Sequence, residues 1–135
     1  MVSRINPYLN FDGTAREAMT YYADALGGTA TFSTFGEYGQ PDMPEADRIM
    51  HSQIMVDDAI WLMGADTMGG MNRTQGDNIT VSLSGGPDDG LADVWAKLID
   101  GGTVTVPMEK QVWGDEFGMC VDKFGIPWIV NLAGQ

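Results

Sequence analysis

Along this chain apolar residues recur at alternate positions, then at helical spacing, then at alternate positions again, and this succession of periods occurs twice. In residues 5–11, Ile5, Leu9 and Phe11 alternate with Asn6, Tyr8 and Asn10, the period of a half-buried strand. Pro7 suits a position near a strand's start or edge. Thr14 then opens a helix whose stripe is Ala15, Ala18, Met19, Tyr22, Ala25 and Leu26, with Glu17 placed to complete a capping box. Gly27-Gly28 stops it, and residues 29–35 (TATFSTF) resume a strand.

The second pass begins at Asn78, where Ile79, Val81 and Leu83 alternate with Asn78, Thr80 and Ser82. Asp88 or Asp89 opens a helix bearing Leu91, Val94, Trp95, Leu98 and Ile99, Gly101-Gly102 ends it, and TVTV (103–106) begins the next strand. Tyr22 answers to Trp95 and Leu26 to Ile99, with a one-residue insertion before the paired glycines. VDDAIWLM (56–63) is matched by VDKFGIPWIV (121–130), which aligns Trp61 with Trp128 and places tight turns at Asp57-Asp58 and Asp122-Lys123. A repeat that keeps helices, turns and aromatics in order specifies a duplicated βαβββ unit. The expected organisation is an α+β domain of two modules, about 1–66 and 78–135, linked by residues 64–77 (GADTMGGMNRTQGD). GEYGQPDMPEAD (36–47) reads as a further loop.

Strand alternation assigns faces. The helices must cover Ile5, Leu9, Phe11, Ile79, Val81 and Leu83, so Asn6, Tyr8, Asn10, Asn78, Thr80 and Ser82 face the other way. In MHSQIMV (50–56) the helix set is Met50, Ile54 and Val56, leaving His51, Gln53 and Met55 for the open face. Trp128, Val130 and Leu132 belong together, opposite Ile129 and Asn131; by the repeat, Trp61 and Met63 follow the first set, and Ile60 and Leu62 the second.

PYLNFDGTAREAMTYYADALGG (7–28), IMHSQIMVDDAIWLMGAD (49–66) and GGTVTVPMEKQVWGDEFGMCVDKFGIPW (101–128) carry a resemblance to the vicinal oxygen chelate superfamily. That superfamily includes glyoxalase I, bleomycin-resistance proteins and extradiol dioxygenases, and the chain is most similar to its PhnB-like branch. The resemblance implies two βαβββ modules forming an open, curved mixed sheet around a cleft, often completed in a homodimer. It also implies, for the enzymes, a divalent metal held by His, Gln or Glu from the first and last strand of each half. Carried over, those positions fall near Asn6, Leu62, Thr80 and Ile129, or, with a slip of two residues, Tyr8, Ile60, Asn78 and Asn131. None offers a carboxylate or imidazole, and amides, hydroxyls and aliphatics do not replace them at a divalent ion. No metal and no cofactor is therefore expected.

Composition narrows the partners. Seven basic against nineteen acidic residues give a net charge of −12, which repels phosphate backbones and anionic membranes. No apolar run is long enough to span a bilayer. MVSRINPYLNFDG lacks the basic-then-apolar pattern of a secretory leader, and one cysteine makes no internal disulfide, so a cytoplasmic location is expected. No glycine-rich nucleotide loop or Rossmann pattern supports methyl transfer.

The remaining chemistry is sparse. His51, the one histidine, reads either as a polar anchor beside Gln53 or as a structural imidazole. Asp115 and Glu116 are a candidate general base or a solvated turn. Trp113 and Phe117 read as ligand walls or as packing, and Cys120, without a basic neighbour, as a small packing residue. The first expectation is a metal-free binder of a small organic molecule, sequestering a toxic or antibiotic compound, through Tyr8, His51, Gln53, Asn78, Trp113 and Met119. The alternative is a metal-dependent lyase, isomerase or dioxygenase using His51 with Glu37 or Glu116. A third is a metal-free enzyme with His51 as base.

Overall fold

A computed structural model describes residues 3–38, 42, 45–67 and 73–134. Parts of the expected loop (39–41, 43–44) and of the expected linker (68–72) lie outside them, as do positions 1–2 and 135. The chain divides into two compact units, Met1–Thr74 and Gln75–Gln135.

Unit 1 runs β1 (Tyr8–Phe11), α1 (Ala15–Leu26), β2 (Thr29–Thr34), a short 3-10 turn (Gly36–Tyr38), β3 (Ile49–Val56) and β4 (Ile60–Asp66). Its sheet has the order β1-β4-β3-β2, with β1 parallel to β4 and the other pairs antiparallel. Unit 2 repeats the plan: β5 (Val81–Gly85), α2 (Leu91–Ile99), β6 (Thr103–Lys110), β7 (Glu116–Val121) and β8 (Pro127–Leu132), in the order β5-β8-β7-β6. The βαβββ duplication is thus present, one mixed four-stranded sheet with one helix in each unit.

Each helix covers one face of its own sheet. In unit 1, Ala15, Ala18, Met19 and Tyr22 are buried with Phe11, Ile54 and Leu62. A β-carbon on Gly64 would meet Met19 Sδ at 2.9 Å, so the helix packs directly onto β4. In unit 2, Trp95 and Leu98 are buried with Cys120, Trp128 and Val130, and Gly118 is the floor beneath Trp95. Gly27, at φ 79°, takes the left-handed turn that ends α1.

Several local expectations need correction. The strands start late: Ile5 and Ile79 lie outside β1 and β5 and are exposed rather than packed against helices. Thr14 makes no side-chain cap. Instead Asp66, at the end of β4, reaches the helix start, its Oδ1 accepting from Gly13 N (2.8 Å) and Ala15 N (3.0 Å). Its Oδ2 accepts from Ile49 N (2.9 Å), so one buried carboxylate satisfies three amides from two segments. Asp89 does not open α2; its Oδ2 accepts from Gly86 N (2.7 Å) in the preceding turn, and the helix begins after Gly90. A bulge opposite Ser33/Thr34 leaves Met50 unpaired, so Ile49, not Met50, takes the buried place.

The alignment of Trp61 with Trp128 is off by one. Val56 pairs with Ile60 around a turn of residues 57–59, whereas Val121 pairs with Pro127 around the longer turn 122–126. The turns differ by two residues and so keep the phase. The faces differ because Val56 lies on the helix side with buried Ile54, whereas Val121 lies on the face opposite buried Cys120. Leu62, opposite Ile54, therefore occupies the helix-side place that Trp128 holds opposite Cys120. Trp61 and Met63 face away from the helix. Trp128 is buried and donates from Nε1 to Asp122 Oδ2 (2.7 Å); the Asp122 Oδ1 holds the turn through Phe124 N and Ile126 N.

Candidate functional site

The candidate surfaces are the sheet faces that the helices do not cover, one in each unit. In unit 1, side chains paired across the ladder point to the same face. Tyr8 pairs with Met63, Met63 with Gln53, and Gln53 with Thr31; Met55 pairs with Trp61, and His51 with Ser33. Tyr8, His51 and Gln53 therefore share one face, as their strand phase implied. Met63, Trp61 and Met55 give it an apolar floor that the repeat alignment had assigned in part to the helix side.

Tyr8 Oη and His51 Nδ1 are 3.3 Å apart, joining β1 to β3, and the rings are tilted by 38° at a centroid separation of 5.8 Å. The phenol donates when Nδ1 is unprotonated, and accepts in the other tautomer. Partial burial raises the Tyr8 pKa above its ordinary value, so the phenol stays protonated across neutral pH. Asn6 Nδ2 lies 3.6 Å from Met63 Sδ, on the same face. The indole of Trp61 lies under Arg4, whose guanidinium carbon is 5.1 Å from the ring centroid, and its buried Nε1 has no acceptor among the described residues. Glu37 lies in the exposed 3-10 turn after β2.

In unit 2 the uncovered face carries Phe117 opposite Asn131 and Met119 opposite Ile129. Trp113, in the turn between β6 and β7, is 59% exposed and meets Phe117 edge-on, with centroids 6.0 Å apart and planes at 73°. Asp115 is fixed beside them: Oδ2 accepts from Asn131 Nδ2 (3.0 Å) and Oδ1 from Gly134 N (2.8 Å). Those bonds, with a contribution from Trp113, hold its carboxyl below the usual carboxylate range. Asn78 is elsewhere: it is exposed in a bend ahead of β5, not on the strand face.

The neighbouring acid, Glu116, pairs with Leu132 and Lys110 and so points to the helix side. There it lines an open cavity of about 530 Å³ with Pro87, Ala92, Lys110 and Gly134. Cys120 is also on the helix side, buried, and its thiol is pushed up to about 11 by desolvation and by the charge of Asp122.

A divalent ion does not fit these faces. Of the four carried-over positions, Leu62 is buried under the helix, Thr80 precedes β5, and Asn6 and Ile129 offer an amide and an alkyl group. Among the described residues no three His, Cys, Asp or Glu side chains gather at one point. The three-residue surface of Tyr8, His51 and Gln53 offers one strong metal donor, where a divalent site needs several. What it can do is exchange hydrogen bonds with a polar organic group above a floor of methionine and indole.

The family described as 3-demethylubiquinone-9 3-methyltransferase matches residues 3–131. The crystal structure of protein PA1353 from Pseudomonas aeruginosa is 31% identical, with a TM-score of 0.89 over 99% of this chain and 100% of that one. The PhnB protein of Bacillus cereus, a proposed 3-demethylubiquinone-9 3-methyltransferase, is 23% identical, with a TM-score of 0.76 over 97% of this chain and 100% of its own. A glyoxylase/bleomycin resistance protein/dioxygenase domain from Frankia sp. EAN1pec shares the fold at 13% identity, with a TM-score of 0.65 over 100% and 95% of the two chains. The duplicated βαβββ units and these matches agree: the chain belongs to the 3-demethylubiquinone-9 3-methyltransferase family, and it has the fold of the glyoxylase/bleomycin resistance protein/dioxygenase domain.

Proposed function

We propose that this protein binds a small organic molecule on its uncovered sheet faces without a divalent metal, and sequesters it. The observation that carries this reading is the Tyr8–His51 hydrogen bond beside Gln53 and Met63 on a face whose inherited ligand positions hold no carboxylate or imidazole. On unit 1 Tyr8 supplies a hydroxyl, Gln53 an amide and Met63 apolar contact; on unit 2 Met119 and Trp113 supply apolar contact. Each face suits a ligand with a polar group on an apolar body. Asn78, exposed ahead of β5, is the weakest member of the proposed set.

We take the protein to act as a homodimer in the cytoplasm; among the described residues no helix is long and apolar enough to cross a membrane. The bound compound would be toxic or antibiotic in character, and sequestration needs no turnover. Neither nucleic acid nor an anionic membrane suits a chain of net charge −12. The methyl transfer in the family's description finds little support in these sheets. Each has a single parallel pair, whereas the doubly wound sheets that hold nucleotide cofactors are mostly parallel.

One observation favours a second reading. A phenol hydrogen-bonded to an imidazole is an acid–base pair, and in this reading Tyr8 and His51 move a proton on the bound compound without metal. Turnover lost in both Tyr8→Phe and His51→Ala would establish that reading over simple binding.

The metal question is tested by elemental analysis after incubation with Ni, Zn, Fe(II) and Mn and desalting. The proposal expects a stoichiometry near zero for each. One ion per subunit, abolished by His51→Ala, would instead make the protein a metalloenzyme with a relocated site.

A further inference from the structure

We propose that the uncovered face of unit 2 is a subsite for organic cations of the alkylammonium class, walled by Trp113 and Phe117 between the carboxylates of Asp115 and Glu109. The inference rests on the reading of that face as a ligand surface, and adds the charge class of what it takes.

The two rings meet at 73° with centroids 6.0 Å apart, so they form adjacent walls of a corner. Trp113 leaves more than half of its surface to solvent although it is among the largest apolar side chains. An exposed indole standing against a phenyl ring attracts a cation through the negative faces of both π systems, and tryptophan does so best.

Among the described residues, the strand pairing and the Asn131 contact place two acids on this face. Asp115 is immobilised by Asn131 and Gly134, so its carboxylate need not be reorganised when a ligand arrives. Glu109 pairs with Phe117 in the β6–β7 ladder, and is therefore on the same face and exposed. The nearest lysine in the strand, Lys110, pairs with Glu116 and points to the helix side. The chain's net charge of −12 strengthens the attraction at a distance. An alkylammonium group satisfies both features, because its methyl or methylene shell packs on the rings while its charge meets the carboxylates. A neutral molecule of the same shape would gain only the first.

The test pairs choline with its neutral isostere, 3,3-dimethylbutan-1-ol, titrated into the full chain and followed by the indole N–H signal of Trp113 and the side-chain amide of Asn131. Choline is expected to shift both and saturate, with the isostere about tenfold weaker or more, the discrimination of a cation–π corner with nearby charge. Trp113→Leu should weaken choline about tenfold. Glu109→Gln, which removes an exposed charge without touching the turn, should weaken it severalfold at low salt and less at high salt. Equal binding of the isostere, no response to choline at tens of millimolar, or unchanged affinity in Trp113→Leu would overturn the proposal. A neutral organic compound that saturates the Tyr8–His51 face while ammonium ions leave Trp113 unmoved would also overturn it, yet leave the broader binding reading standing.

Discussion

Replacing Asp66 tests how unit 1 is held together. Its carboxylate is 6% exposed and accepts three backbone hydrogen bonds at 2.8, 3.0 and 2.9 Å, from Gly13, Ala15 and Ile49. Asp66→Ala removes all three acceptors. The helix-start pair is worth roughly what a lost N-cap costs, about 0.5–2 kcal/mol. The Ile49 amide is buried, and leaving it unsatisfied costs about 1–3 kcal/mol more. The sum is about 1.5–5 kcal/mol, a large part of the stability of an ordinary domain. Asp66→Asn can keep its oxygen on Gly13 and Ala15, but then sets an NH₂ group against the Ile49 N–H. It should lose about 1–3 kcal/mol, less than the alanine variant. Urea unfolding followed by circular dichroism reads both, with the slope unchanged and the midpoint lowered. The opposing effect has a known sign, because removing one negative charge from a chain of net charge −12 relieves self-repulsion. If Asp66→Asn stabilised the protein, or Asp66→Ala cost less than about 1 kcal/mol, the three-bond account would be wrong.

Other outcomes follow from the same structure. Trp128→Phe deletes the Nε1 donor to Asp122 Oδ2 from a buried pair and should cost about 1–3 kcal/mol by urea unfolding, without loss of the fold. Trp113→Ala should weaken ligand binding while moving the melting temperature little, since the side chain is 59% exposed; a variant that unfolds would make Trp113 a core residue. The Cys120 thiol, raised from 9.0 to about 11, stays protonated in the folded state at pH values where the unfolded chain releases its proton. Its contribution to stability is full below pH 9.0 and lost as pH rises through about 11. Alkylation of native protein at pH 8 should therefore be slow, and Cys120→Ala should flatten the decline in stability over that alkaline range.

Much of this fold could be read from apolar spacing. The stripe Ala15, Ala18, Met19 and Tyr22 and the pair Trp95 and Leu98 are buried where helical phase put them, and Tyr8, His51 and Gln53 share a face because strand phase required it. Phase fails where the chain gains or loses a residue. The bulge at Met50 exchanges Ile49 for Met50, and Val56 lies on the helix side where its match Val121 does not, which turns Trp61 to the opposite face from Trp128. Both are one-residue shifts that a repeat match absorbs without trace. Asp66 reads as linker and Asp122 as a residue of a tight turn, because their value lies in backbone amides and an indole that only the fold brings within reach. The corner of Trp113, Asp115 and Phe117 was visible as residue types, but Glu109 joins it only through the pairing of β6 with β7. Asn78 and Ile79 were misplaced because alternation continues past the point where a strand has a partner to pair with.

The most direct test of metal-free binding is a two-dimensional amide spectrum of the protein, stripped with EDTA, during titration with a library of small organic compounds. The account predicts compounds that saturate and shift Tyr8, His51, Gln53 and Met63 together, with weaker binding in Tyr8→Phe and His51→Ala and no change on adding Ni, Zn, Fe(II) or Mn. Binding that appears only after a metal is restored, or shifts confined to other surfaces, would contradict it.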